Sequence, residues 1–281
     1  TGDTGPTGYT GPTGPTGYTG PTGPPSLIPG PTGDSNWTKL TSSNDISNNN
    51  SSGNVIVANN LEVLRDISGG TILNIGVNDR PTGINSAVIG SGNKASGYCS
   101  VAMGSLNTAS DYSSVAMGTA NAASGSYSVA MGANNAASGN ASVAIGQLNK
   151  AEGNYSVAMG LRSDASGDYS VAMGQDCSAG GIASFAMGSR NTANGYCSVA
   201  MGRDCSAGGI ASFADGSGCT ASGDYSVAMG YQNTASYYGS VAIGGGNTVS
   251  GYYSVAMGGG NTASIYYSVA MGQGNTASSY H

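Results

Sequence analysis

The sequence predicts an all-β chain, a parallel β-solenoid of fourteen-residue coils that follows a collagen-like triple helix. Three observations carry that prediction. One glycine phase runs from Gly76 through Gly90, Gly104 and Gly118 to Gly272 without a slip, and a fixed period sustained over most of a chain marks stacked repeats. Within each repeat the segment Ser100-Val101-Ala102-Met103-Gly104 alternates with the two-residue side-chain period of a strand. At the start of the chain a second glycine phase, Gly2, Gly5, Gly8 and onward to Gly23, has a strict period of three, because only glycine fits the axis of a triple helix.

The columns of the fourteen-residue repeat define its core. Serine stands four residues before every repeat glycine from Ser86 to Ser268, and alanine two before it except at Val88. Valine stands three before, replaced by Ala87, Phe185 and Phe213, while all ten methionines sit immediately before the glycine. From Ala95 onward alanine recurs five residues after it, with Val249 the one substitution. Val101, Met103, Gly104 and Ala109, like Val255, Met257, Gly258 and Ala263, are therefore the core repeat residues. A glycine in every coil would cost a helix about 1 kcal/mol each time, so strands are favoured, stacked about 4.8 Å apart into a rod of about 67 Å. Val101 and Met103 point to one side and Ser100 and Ala102 to the other. The Val/Met side is expected to fill the coil interior, leaving the small side for close approach of neighbouring chains.

Repeats such as Ser254-Val255-Ala256-Met257-Gly258 followed by Asn261-Thr262-Ala263-Ser264 resemble the head repeats of the YadA family of trimeric autotransporter adhesins. The resemblance covers about residues 71–281. It implies a left-handed parallel β-roll, three chains side by side, and a surface-exposed adhesive or structural role. The neck, coiled-coil stalk and membrane anchor of the complete family pattern are not represented in the sequence, so autotransport is not an expectation.

Composition agrees with a fibre. The 281 residues include 49 glycines, only 8% are charged and the net charge is −6, against about 25% charged residues in ordinary globular domains. An acidic chain with eight Lys plus Arg lacks the basic face that nucleic acid needs, and no apolar run approaches the roughly 18 residues of a membrane helix. The chain begins within a repeat and ends at His281 in mid-coil, as expected of a processed form or fragment.

The remaining segments are read in order. Residues 1–25 form the triple-helical stem, which requires three chains. Its Gly-Pro-Thr and Gly-Tyr-Thr triplets resemble the collagen-like filaments of Bacillus-group exosporium glycoproteins and of giant-virus surface fibres. That resemblance implies threonine O-glycosylation, with Thr7, Thr10, Thr13, Thr16, Thr19 and Thr22 as candidates. Residues 26–53, rich in Pro, Ser and Asn with Trp37 and Leu40 as apolar anchors, read as an irregular junction. Residues 54–70 read as a short β-rich adaptor, and the head spans 71–281.

Chemistry is sparse. The single histidine is His281, which removes histidine-based triads, and the carboxylates are scattered. No glycine-rich phosphate loop or repeated-aspartate calcium turn is present, so no cofactor and no enzymatic activity are expected. Cys177, Cys205 and Cys219 share the column three after the repeat glycine, where most coils have asparagine. Adjacent coils bring Cys205 and Cys219 within disulfide reach, against the alternative of free thiols standing in for asparagine. Asp215 interrupts the apolar column between Met201 and Met229, a candidate cation or proton site if that column is interior, with a tolerated defect as the alternative. Asn233, Asn247, Asn261 and Asn275 are expected to form an amide ladder. Tyrosines recur before the serine column, among them Tyr225, Tyr253 and Tyr267, either as an interaction surface or as packing over the rod edge.

These features point to a non-enzymatic, homotrimeric surface fibre on a spore, bacterial cell or virion. End-to-end assembly through the exposed strands at the rod ends is a further expectation. The alternative is an adhesin whose trimeric head binds a receptor or glycan. A minor one is ice binding by the threonine ladder Thr220, Thr234, Thr248, Thr262 and Thr276.

Overall fold

The computed structural model describes residues 37–39, 46–48 and 73–278, in two compact units, Thr1–Val63 and Leu64–His281. In the first unit Trp37–Lys39 and Ile46–Asn48 pair antiparallel, with Trp37 opposite Asn48. Part of the segment read as an irregular junction is therefore a small β-ladder. The triple-helical stem, its candidate threonines and the 54–70 adaptor lie outside the described residues.

In the second unit each coil contributes a five-residue strand, such as Val101–Ser105, and a two-residue strand, such as Thr108–Ala109. The long strands form one 15-stranded parallel sheet and the short ones a second. Every rung is displaced by one repeat, pairing Val101 with Val115, Ala102 with Ala116, Met103 with Met117 and Gly104 with Gly118. No helix occurs among the described residues.

Each coil closes by turning twice, seven residues apart. Leu106 and Ser113 both have positive φ, at 58° and 49°, as do Ala120 and Tyr127 in the next coil. One residue after each such turn lies a buried polar side chain, Asn107 or Ser114, and two residues further a fully buried alanine, Ala109 or Ala116. The coil is thus two seven-residue halves that differ chiefly in using asparagine in one and serine in the other.

This arrangement reverses the expected inside and outside. The alanine columns are completely buried, whereas Val101 and Met103 are half-buried on the outer face, and Met257 is 36% exposed. Fourteen residues spent on two turns enclose room for small side chains, with Val88 and Val249 the largest apolar ones admitted, and forcing valine and methionine inward in every coil would overpack the interior. Of the core repeat residues, Ala109 and Ala263 lie inside, while Val101, Met103, Val255 and Met257 face outward.

The repeat glycine is required by its neighbours. Gly104 has φ +115°, and a Cβ there would meet the Gly118 carbonyl oxygen at 2.1 Å and Asn107 Nδ2 at 3.1 Å. That vacated volume lets the asparagine amide reach two carbonyls.

Candidate interaction surfaces

The interior holds two polar columns of opposite character. In the first, Asn107 Nδ2 donates to Asn93 Oδ1 (3.0 Å), to the Met103 carbonyl (2.9 Å) and to the Gly118 carbonyl (2.8 Å), while its backbone N–H also donates to Asn93 Oδ1 (3.0 Å). The pattern repeats through Asn121, Asn135 and Asn149 and again from Asn233 through Asn247 and Asn261. The expected ladder from Asn233 is present, and a second one precedes it. In the serine column, by contrast, the buried hydroxyls of Ser128, Ser142, Ser156 and Ser170 have no hydrogen-bond partner. Ser100, Ser114 and Ser240 instead donate to the carbonyl three residues back, that of Gly97, Asp111 and Tyr237.

Between the two ladders stand Ser163, Cys177, Asn191, Cys205 and Cys219. All three cysteines in this column are buried and free, so the bridge expected between Cys205 and Cys219 is not formed. In-register stacking points both thiols the same way. The Cys205 thiol donates to the Arg203 carbonyl (3.6 Å) and the Cys219 thiol to the Gly230 carbonyl (3.3 Å). Burial, ahead of smaller effects from Cys219 and Arg203, pushes the Cys205 thiol above its ordinary value, which keeps it protonated and unreactive.

Asp215 lies in the outward methionine column, in register between Met201 and Met229, and is half-buried. It is not the interior cation or proton site that an inward column would have made it. No cluster of three metal-ligating side chains occurs among the described residues. Asp164, which sequence reasoning passed over, is the more perturbed acid. Its Oδ1 is buried without a partner, and burial raises its carboxyl above the ordinary aspartate value, with Glu152 adding to the rise and Lys150 opposing it. On the turn row, Arg162 pairs with Asp176 at 2.6 Å and Arg190 with Asp204 at 2.7 Å. The hydrogen bond from Arg162 is the main cause that holds the Asp176 carboxyl low.

Two outer surfaces remain. The first is the Val/Met face of the long-strand sheet, an apolar stripe from the coil of Val101 to that of Met271 that is interrupted at Asp215. Its thirteen coils extend it over about 60 Å, and contiguous apolar surface of this kind marks an interaction site. The second is the turn edge, where exposed tyrosines stack coil upon coil. Tyr98 lies on Tyr112 and Tyr155 on Tyr169, with ring centroids 5.3 and 5.1 Å apart. Toward the end of the rod two ladders run side by side. One is Tyr237–Tyr252–Tyr266 and the other Tyr225–Tyr238–Tyr253–Tyr267. The tyrosines form an exposed surface and pack over the edge at once. Thr220, Thr234, Thr248, Thr262 and Thr276 stand in register on the short-strand sheet.

The YadA head domain repeat (2 copies) family matches residues 82–107, 100–121, 109–135, 123–149, 137–163, 151–176, 179–204, 221–247 and 250–275, more than half of the chain. The segments left unmatched, 205–220 above all, coincide with the region of Cys205, Phe213, Asp215 and Cys219. No curated protein matches the chain.

Proposed function

Because the chain belongs to the family built from YadA head domain repeats, we propose that it is a non-enzymatic, adhesin-like surface protein whose heads assemble in threes. The observation that carries the proposal is the outward Val/Met stripe. An apolar strip this long on a soluble rod calls for burial against other protein, and three identical strips facing a common axis bury one another with closed symmetry. The collagen-like triplets of residues 1–25 demand the same number of chains. Stem and head therefore support one stoichiometry by unrelated physical arguments.

On this reading the role is mechanical. Identical rungs, buried amide ladders and a three-chain contact make a stiff, protease-resistant rod, carried on a thin glycosylated stem away from a spore, bacterial or virion surface. The tyrosine edge favours a second reading, an adhesin that holds a receptor through the side of the head. Electron microscopy of the full chain tests the architecture: the proposal expects rod-like heads on thin stems, and isolated rods one chain thick would contradict it. Retention on a cell or matrix surface, lost when exposed tyrosines are replaced, would move the protein from the structural to the adhesive reading.

A further inference from the structure

The paired tyrosine ladders differ from the rest of the turn edge in two ways. They contain the longest run, since the ladder from Tyr225 to Tyr267 has four rungs and runs about 14 Å, against three in Tyr98–Tyr112–Tyr127 and two in Tyr155–Tyr169. They are also double, with two rows of rings following neighbouring columns along the rod. Their rings change orientation partway, as they do between Tyr112 and Tyr127. Tyr252 and Tyr266 are stacked within 6°, as are Tyr253 and Tyr267, but Tyr238 is inclined 69° to Tyr253 and 59° to Tyr225. Gly239 makes the change possible: it adopts φ +62°, and a Cβ there would meet the Tyr253 ring at 2.8 Å.

Charge around the paired ladders is one-sided. Every lysine and arginine of the chain lies at or before Arg203, while Asp204, Asp215 and Asp224 follow it. Asp224 adjoins Tyr225 at the head of the longer ladder. The phenol of Tyr238 is pushed above the ordinary tyrosine value, first by Tyr253, with desolvation, Tyr225 and Asp224 adding to it. The surroundings thus disfavour additional negative charge.

We infer that this double ladder is a binding site for elongated, planar, cationic aromatic molecules, which lie along the rows of rings parallel to the rod. The flat body packs on the stacked walls of Tyr252, Tyr253, Tyr266 and Tyr267. The positive end sits over the inclined rings of Tyr237 and Tyr238, where a cation is drawn to the aromatic face and to Asp224. Every contact lies within one chain, so the site does not rest on the assembly reading.

The test is a low-salt fluorescence titration of the full chain with thioflavin T, a cationic benzothiazolium whose emission rises when its two ring systems are held rigid. The wild-type chain is expected to give a saturable rise. Tyr252→Asn combined with Tyr253→Ala reproduces the Asn140-Ala141 corner of another coil, so the fold is kept, as circular dichroism checks. This double variant is expected to weaken binding at least tenfold. Tyr155→Ala, in the two-rung ladder, is expected to change it less than twofold, and an uncharged benzothiazole analogue to bind at least tenfold more weakly than the cation. No saturable signal would overturn the inference. So would an unchanged signal in the double variant, which would put the dye elsewhere, or equal binding of the neutral analogue.

Discussion

Replacing one rung of the asparagine ladder separates the two polar columns of the interior. Asn121 Nδ2 donates to Asn107 Oδ1, the Met117 carbonyl and the Gly132 carbonyl at 3.0, 2.9 and 2.8 Å, and its Oδ1 accepts from the Asn135 N–H and Nδ2 at 3.0 and 2.9 Å. Two amide hydrogens shared among three acceptors, plus two accepted bonds, amount to four hydrogen bonds, each worth about 1 kcal/mol net. One of the four is the bond from the buried Asn135 N–H, which Asn121→Ala leaves without an acceptor at a cost of about 1–3 kcal/mol in place of about 1. The expected destabilisation is therefore about 4–6 kcal/mol. Ser142→Ala, at the matching position of the other half-coil, removes a buried hydroxyl that has no partner and is expected to be neutral or stabilising by up to about 1 kcal/mol. Guanidinium unfolding at one fixed protein concentration compares the variants, and hydrogen exchange at Asn135 localises the damage. Equal losses from the two substitutions, or an Asn121→Ala cost below about 1 kcal/mol, would refute the ladder argument.

Other perturbations follow from the same geometry. Gly132→Ala places a Cβ 2.0 Å from the Gly146 carbonyl oxygen at φ +117° and is expected to prevent folding of the coils around it. Gly260→Ala, at φ +64° with nothing within 4 Å, should cost only about 1 kcal/mol, and circular dichroism with thermal melting compares the two. Asp164 has a folded-state value above its unfolded one, so the native state holds its proton more tightly and stability falls as pH rises through that interval. Asp164→Asn should thus be more stable than wild type at neutral pH, with the advantage vanishing in acid, as melting curves across pH will show. Asp176 behaves in the opposite sense: the stability from its bond with Arg162 is present above the ordinary aspartate value and lost as pH falls through the lowered one.

Most of the architecture was legible because the repeat is exact. The phase of Gly76 to Gly272 gave coil length and register, and the parallel pairing of Met103 with Met117 follows from it. Inside and outside were misjudged because hydrophobicity pointed to valine and methionine, whereas coil size decided for alanine. A signal was available in the columns themselves. The buried serine and alanine positions hardly vary from coil to coil, while the outward ones accept Phe185, Phe213 and Asp215. The tyrosine ladders were half legible. Tyr225, Tyr253 and Tyr267 share a column, but Tyr238 joins them from the neighbouring one because Gly239 holds the shared corner, at the same positive φ, without a side chain. Nothing in the sequence marked the unpartnered serine hydroxyls, which depend on turn geometry three residues away.

The outward Val/Met stripe is the centre of the functional account, and the mass of the native particle by light scattering tests it most directly. The account predicts three times the 27.4 kDa chain, reduced toward the single-chain mass when Met131→Lys and Met159→Lys place charges on the stripe without entering the coil interior. A wild-type particle of one chain, or a trimer indifferent to both lysines, would contradict it.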